Sequence, residues 1–129
     1  IVGFGDLGRA LNRLLAGFNA TLRVFDPWLP PSILREHHVE PASLETVLSR
    51  SDTIFVVAAV TSDNAGFLDR KAFALMRRNA AFILLSRADV VDFDALMQAV
   101  RSGHIVAAAP VHSTSPSRGW ATWCSRTWT

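Results

Sequence analysis

The stretch Ile1-Val2-Gly3-Phe4-Gly5-Asp6-Leu7-Gly8, followed by Leu22-Arg23-Val24-Phe25-Asp26, decides the fold. It is a G-x-G-x-x-G placed between an apolar strand end and a helical pattern, since Leu7, Leu11, Leu14, Leu15 and Phe18 recur at helical spacing. A second strand then ends on an acid 18 residues after the last glycine. Each part has a physical task. Gly3 permits a tight turn out of the strand, Gly5 leaves room for a pyrophosphate against the backbone, and Gly8 lets the helix pack close to the strand. The free N–H groups and positive dipole end of that helix face the phosphates. Asp26 stands where a carboxylate binds the hydroxyls of an adenosine ribose. Glycines also mark ordinary turns, so a structural glycine turn is the competing reading.

Outward from this unit, strands and helices alternate. Residues 7–17 form the first helix with Gly17 as its stop, and residues 21–26 form the second strand. Pro27, Pro30 and Pro31 flank Trp28 and predict a stiff connection without regular structure. Trp28 either covers an edge of the adenine site or packs in its loop. Ser32 can cap a short helix through His38, and Val39 marks a short third strand. Ser43 can cap a helix with Leu44, Val47 and Leu48 on one face. Thr53 to Val60 is a continuous apolar run rich in β-branched residues, the pattern of a parallel strand buried on both faces. Asp69 can cap a helix through Arg78 that buries Phe73, Leu75 and Met76. Ala81 to Leu85 is another buried strand. Asp92 caps a helix from Phe93 to Ser102, with Leu96, Met97 and Val100 inward and Gly103 as the stop, and Ile105 to Ala109 is the last strand. The fold class is therefore α/β: a Rossmann-type, doubly wound, mainly parallel sheet.

The chain has 129 residues, half of them apolar, which suits one domain. It begins inside a strand, so it reads as a fragment truncated at both ends, with a partial dinucleotide-binding domain over 1–111 and an irregular tail over 112–129. The tail holds three of the four tryptophans and no periodicity. It is either a divergent extension or the product of a reading-frame change. No apolar run is long enough to span a membrane, and no secretory signal opens the chain. Cys124 is the single cysteine, so no intrachain disulfide is possible, which agrees with a cytoplasmic setting. Cys124 reads as a bystander thiol. Residues 1–112 carry eleven basic and eleven acidic side chains, and the excess of +2 comes from Arg118 and Arg126 in the tail. The body has no basic stripe, which argues against a nucleic-acid partner.

In open α/β sheets ligands bind beyond the carboxyl ends of the strands. Four loops lie there: 3–8, 26–31, 58–64 and 86–90. Arg87 is the cation in these loops placed to meet a substrate, because a guanidinium grips a carboxylate with two parallel hydrogen bonds. The plainer reading is a solvated loop arginine. His37, His38, His104 and His112 show no metal-ligand spacing and read as solvated or capping residues.

From Ile1 to about Ala109 the sequence resembles the cofactor-binding domain of the D-isomer-specific 2-hydroxyacid dehydrogenases. The resemblance rests on Gly3-Phe4-Gly5-Asp6-Leu7-Gly8, on Phe25-Asp26-Pro27 and on Ser51-Asp52 before the buried strand. It continues through Thr61, Phe82-Ile83-Leu84-Leu85-Ser86-Arg87, Val91-Asp92, Ala95-Leu96 and Ser102-Gly103-His104-Ile105. It implies NAD as cofactor, held by Gly3, Gly5, Asp6, Leu7, Gly8, Asp26, Thr61, Leu85, Ser86 and Arg87. It also implies hydride exchange with C2 of a small 2-keto or 2-hydroxy acid such as glyoxylate, hydroxypyruvate or pyruvate. Arg87 would be catalytic, orienting the substrate carboxylate and polarising the carbonyl, with a histidine held by a glutamate as proton donor. Members commonly form homodimers through this domain. The family's Arg-Gly-Gly is Arg87-Ala88-Asp89 here, its Asn-Thr is Leu84-Leu85, and no glutamate follows Glu45. These departures leave open a dinucleotide-binding module without catalysis.

Overall fold

The computed structural model describes residues 1–59 and 61–108, with the side chains of Ala107 and Ala108 left undescribed. Val2 lies at its middle. The Val2 N–H donates to Phe55 O at 2.8 Å, and the Val2 carbonyl accepts from Val57 N at 2.9 Å. On the other side Phe25 N donates to Ile1 O at 3.0 Å and Gly3 N to Phe25 O at 2.8 Å. Val2 thus bridges Phe25 and Val56, both in parallel. Beyond Phe25, β1 (Arg23–Val24) pairs with β2 (Glu40–Pro41). Beyond Val56, β3 (Thr53–Val56) pairs with β4 (Ala80–Leu84), and β4 with β5 (Ile105–Ala108). All pairings are parallel, and the order across the sheet is β2, β1, Val2, β3, β4, β5. Counting Val2 as the first strand, this is the doubly wound order in which the chain reverses direction across the sheet beside its first strand.

Alternation along the strands divides the core between two faces. Ile54, Val56, Ala80, Phe82, Leu84 and Ile105 belong to the larger cluster. They pack with Val47 and Leu48 of α3 (Leu44–Arg50), Phe73 of α4 (Arg70–Leu75) and Ala95 and Leu96 of α5 (Phe93–Arg101). Phe73 and Phe82 meet edge to face at 5.3 Å, a geometry that adds to their burial. Ile1, Phe4, Val24, Leu34, Val39 and Val57 form the smaller cluster, beside α1 (Asp6–Leu15) and α2 (Pro31–Glu36). Asn12 Nδ2 of α1 donates to His37 O after α2 at 3.0 Å and joins these two helices.

Local sequence explains most element starts. The side chains of Ser43, Asp69 and Asp92 accept from the N–H groups of Thr46, Ala72 and Ala95, as their positions predict. Gly103, with φ 70°, follows α5 as its stop. The remaining boundaries differ from the sequence reading for identifiable reasons. α1 continues as a 3-10 turn over Ala16–Phe18, and its stop is Asn19 at φ 50° rather than Gly17, because an asparagine tolerates the left-handed conformation. Leu14 and Phe18 are 74% and 75% exposed, so the apolar stripe of α1 is wider than the surface it covers. Ser32 does not cap α2. Pro30 holds the cap position, and Pro31 opens the helix, where its missing N–H costs nothing. The proline segment is therefore partly helical. α2 ends at Glu36. The third strand is Glu40–Pro41, one residue beyond Val39, and Pro41 is tolerated because β2 is the edge strand.

α4 ends at Leu75, three residues before Arg78. The chain there turns through Asn79 at φ 63° into β4, and His104 Nε2 lies 2.9 Å from the Met76 carbonyl, taking up a group that the helix end would leave unpaired. Phe73 and Met76 are buried as expected, but Leu75 is 43% exposed. Met97 and Val100 are half-buried. β3 ends at Val56, β4 spans 80–84, and the second strand is regular only at Arg23–Val24. Val60, Ala109, His112, Cys124 and the tail lie outside the described residues.

Two measurements check this account. Gly17 is not among the glycines with positive φ, and a Cβ there meets nothing within 4 Å. Gly17→Ala should stabilise by about 0.4–1 kcal/mol in urea unfolding, whereas Asn19→Ala, at a positive φ, should destabilise by about 1 kcal/mol.

Candidate functional site

The glycine turn, the loop after β1 and the loop after β3 enclose a cleft of about 710 Å³ at the carboxyl edge of the sheet. It opens beside Val2, where the chain reverses direction across the sheet, the place ligands occupy in such folds. Its lining includes Gly3, Gly5, Asp6 and Leu7 from the turn, Asp26 to Leu29 from the second loop, and Ala58, Ala59 and Thr61 from the third. The volume suits one small-molecule ligand.

The three motif glycines differ in what surrounds them. Gly3 has φ +91°, and a Cβ on it would stand 2.6 Å from Ala58 Cα. A Cβ on Gly8 would stand 2.7 Å from Gly3 O, so this glycine lets α1 sit against the turn. A Cβ on Gly5 would meet nothing within 4 Å. Protein packing therefore does not demand glycine at position 5. A side chain there would instead project into the open space above the α1 N-terminus.

Asp26 is the hinge of the site. Its Oδ2 accepts from Phe4 N at 2.8 Å, and its Oδ1 accepts from Trp28 N at 2.9 Å and Leu29 N at 3.2 Å. One carboxylate thus fixes the glycine turn and the proline loop relative to each other. The bonds to residues two and three ahead form an Asx turn, which the Asp-Pro-Trp-Leu spacing could have signalled. Across the cleft, Asn64 closes the third loop: its Oδ1 accepts from Thr61 N at 2.8 Å and its Nδ2 donates to Ala59 O at 2.7 Å. Asn64, Arg9, Leu29 and Phe67 line the cleft and were not singled out from the sequence. Trp28, 75% exposed, lies on its rim.

Leu85, Ser86 and Arg87 follow β4 at the same sheet edge but do not line the cleft. Leu85 packs against the smaller core cluster. Leu85 N and Ser86 N both donate to Val56 O, at 2.9 and 3.1 Å. Ser86 Oγ is buried without a hydrogen-bond partner. The Arg87 side chain is 79% exposed, and its Nε lies 3.5 Å from Asp89 Oδ2. The bonds Gly66 N to Asp89 O, Leu68 N to Val90 O and Asp92 N to Leu68 O tie this loop to the one containing Thr61. Of the histidines, His37 packs its ring edgewise on Phe4 at 5.4 Å, His38 turns the chain at φ 58°, and His104 binds Met76 O. No group of three or more His, Cys, Asp or Glu suited to a metal occurs among the described residues. No described helix is long and apolar enough to cross a membrane.

Residues 1–120 match the family described as D-isomer specific 2-hydroxyacid dehydrogenase, NAD binding domain. The chain belongs to this family. Relatives include D-3-phosphoglycerate dehydrogenase of Mycobacterium leprae, 33% identical over 90% of this chain and 22% of that protein. Human glyoxylate reductase/hydroxypyruvate reductase is 36% identical over 90% of this chain and 35% of that protein. Among solved structures, a phosphoglycerate oxidoreductase from Rhizobium etli is 67% identical with a TM-score of 0.80, covering 89% of this chain and 36% of that one. The chain thus spans between 22% and 36% of the length of these relatives. The doubly wound fold, the family and NAD as its cofactor agree with the sequence reading.

The glycines can be separated by measurement. Gly3→Ala should cost at least about 2 kcal/mol of stability, through its φ and its contact with Ala58. Gly5→Ala should leave stability within about 0.5 kcal/mol yet abolish measurable NADH binding. Ser86→Ala should stabilise the ligand-free chain by about 1 kcal/mol, because it removes a buried hydroxyl that has no partner.

Proposed function

We propose that this chain is the cofactor-holding part of an oxidoreductase that interconverts small 2-keto and 2-hydroxy acids. The observation that carries this reading is the Asp26 carboxylate, held at the end of β1 beside an unobstructed glycine turn in one cleft. Gly3, Gly5, Asp6, Leu7 and Gly8 would seat the pyrophosphate against the α1 N-terminus. Asp26 would accept from the adenosine ribose hydroxyls, using lone pairs left free by its backbone bonds. Thr61 and the residues at the end of β4 would face the nicotinamide half. Bound NADH would supply hydride chemistry at C2 of the keto acid.

The substrate carboxylate would meet Arg87. Its present partner Asp89 is an exposed surface contact of the kind worth about 0–1 kcal/mol, whereas a bidentate carboxylate pair is stronger. Arg87 is therefore free to exchange Asp89 for a substrate and to polarise its carbonyl. Glyoxylate, hydroxypyruvate and pyruvate are the proposed substrate range. A dimer through this domain belongs to the reading taken from the resemblance, a cytoplasmic setting to the reading of the single cysteine, and the division into a domain over 1–111 and a tail over 112–129 to the point where the strand–helix pattern of the sequence stops.

A second reading is a dinucleotide-binding module without turnover. It is favoured by the absence of any glutamate after Glu45 and by the position of Arg87 outside the cleft lining. Turnover with NADH and the three keto acids separates the two. Activity lost in Arg87→Ala supports the enzyme, and NADH binding with no turnover on any of them supports the module. In either case NADH should bind more than about tenfold tighter than NADPH, because a 2′-phosphate beside Asp26 meets a like charge. Equal affinities would remove Asp26 from the ribose site.

A further inference from the structure

The geometry points to Arg9 as the residue that supplies the positive charge for the cofactor pyrophosphate. This rests on the cofactor reading above and adds a residue that the glycine motif does not contain. The charges of the cleft require such a group. Its lining holds three carboxylates, Asp6, Asp26 and Asp63, and a single cation, Arg9. A dinucleotide brings a pyrophosphate with two further negative charges. Asp6 is the first residue of α1, at the helix end whose dipole would otherwise favour an anion. Backbone N–H groups and half a unit of dipole charge offset one neighbouring carboxylate at best, so the turn as built is a poor anion site without a cation.

Arg9 is placed to be that cation. It lies in the first turn and a half of α1, where its N–H closes the first helical bond to Gly5 O at 2.9 Å. Long helical side chains lean back toward the helix N-terminus, which brings a guanidinium at this position toward the phosphate cradle. Arg9 Nε is buried and has no hydrogen-bond partner, and no ion pair of Arg9 occurs among the described residues. Among the described arginines, Arg23 pairs with Glu40 at 3.2 Å, Arg77 with Asp52 at 2.6 Å and Arg87 with Asp89 at 3.5 Å. Arg9 is one of several without an acid, and it is the one that lines the cleft. A buried, unpaired guanidinium nitrogen is costly to the free protein, and two phosphate oxygens match its fork. Arg9 and Asp6 then act as an opposed pair, one attracting the pyrophosphate and the other limiting how tightly it is held.

The test titrates the 129-residue chain with ADP-ribose, which carries the pyrophosphate without nicotinamide, and with adenosine, which carries no phosphate. Arg9→Met keeps the aliphatic stem and removes the charge, and Arg9→Lys restores charge without the fork. Arg9→Met should weaken ADP-ribose by roughly ten- to a hundredfold, the range expected for losing a charge-assisted bond. It should leave adenosine unchanged and flatten the salt dependence of ADP-ribose binding. Arg9→Lys should recover part of the loss, and Asp6→Asn should tighten ADP-ribose in the parent chain. Unchanged ADP-ribose affinity in Arg9→Met would overturn the assignment while leaving the cofactor site intact. Equal weakening of adenosine would show a structural role instead. A loss confined to the 2′-phosphorylated analogue of ADP-ribose would move Arg9 from the pyrophosphate to the ribose. Failure of the parent chain to bind ADP-ribose or NADH would overturn the cofactor reading itself.

Discussion

The two-sided hydrogen bonding of Val2 is the constraint on which the rest depends. One residue joins β1 to β3, so the chain must leave it toward one edge of the sheet and later return to the other. The backbone that leaves Val2 becomes the glycine turn, while the strands on either side end in the loops at 26–29 and at Ala58, Ala59 and Thr61. A crevice forms because the connections on the two sides diverge. Gly3 makes the first step possible, since its φ of +91° and its approach to Ala58 leave no room for a side chain. The cleft is a product of sheet topology, and its chemistry comes from the few polar groups that topology brings to the rim.

Under the proposed function those groups would carry two roles at once. Asp26 would bind the ribose, yet three backbone N–H groups already hold it. Its substitution would disturb the mutual placement of turn and loop as well as any ligand contact. Ser43, Asp69 and Asp92, by contrast, spend their side chains on helix caps and lie outside the cleft lining. The distinction between an acid that caps and an acid that waits for a ligand depends on the neighbouring backbone, and under the proposed function Asp26 would do both.

Much of the fold was legible because its signals are local. The glycine spacing, the β-branched run from Thr53 and the caps at Ser43, Asp69 and Asp92 each act within a few residues. Element ends were less legible because distant partners set them. α4 stops at Leu75 where Asn79 turns the chain and His104 takes up the Met76 carbonyl from a later loop. Asn19 tolerates a left-handed conformation, though less readily than a glycine, and the chain turns there rather than at Gly17. In the site, Gly3, Gly5, Asp6, Leu7, Asp26 and Thr61 were readable from motif and resemblance, and the structure brings them to one cleft. Leu85, Ser86 and Arg87 stand at the same sheet edge but beyond its lining. Arg9 and Asn64 were not readable, because an arginine on a helix and an asparagine in a loop acquire meaning only from what surrounds them.

The central claim is that the cleft beside Val2 is the cofactor site. Backbone amide shifts followed by NMR during an NADH titration test it most directly. The account predicts that shifts concentrate at Gly3 to Leu7, at Asp26 to Leu29 and at Ala58, Ala59 and Thr61, while α4 and α5 stay unmoved. Saturable shifts confined to α4 and α5, with the glycine turn unaffected, would contradict it.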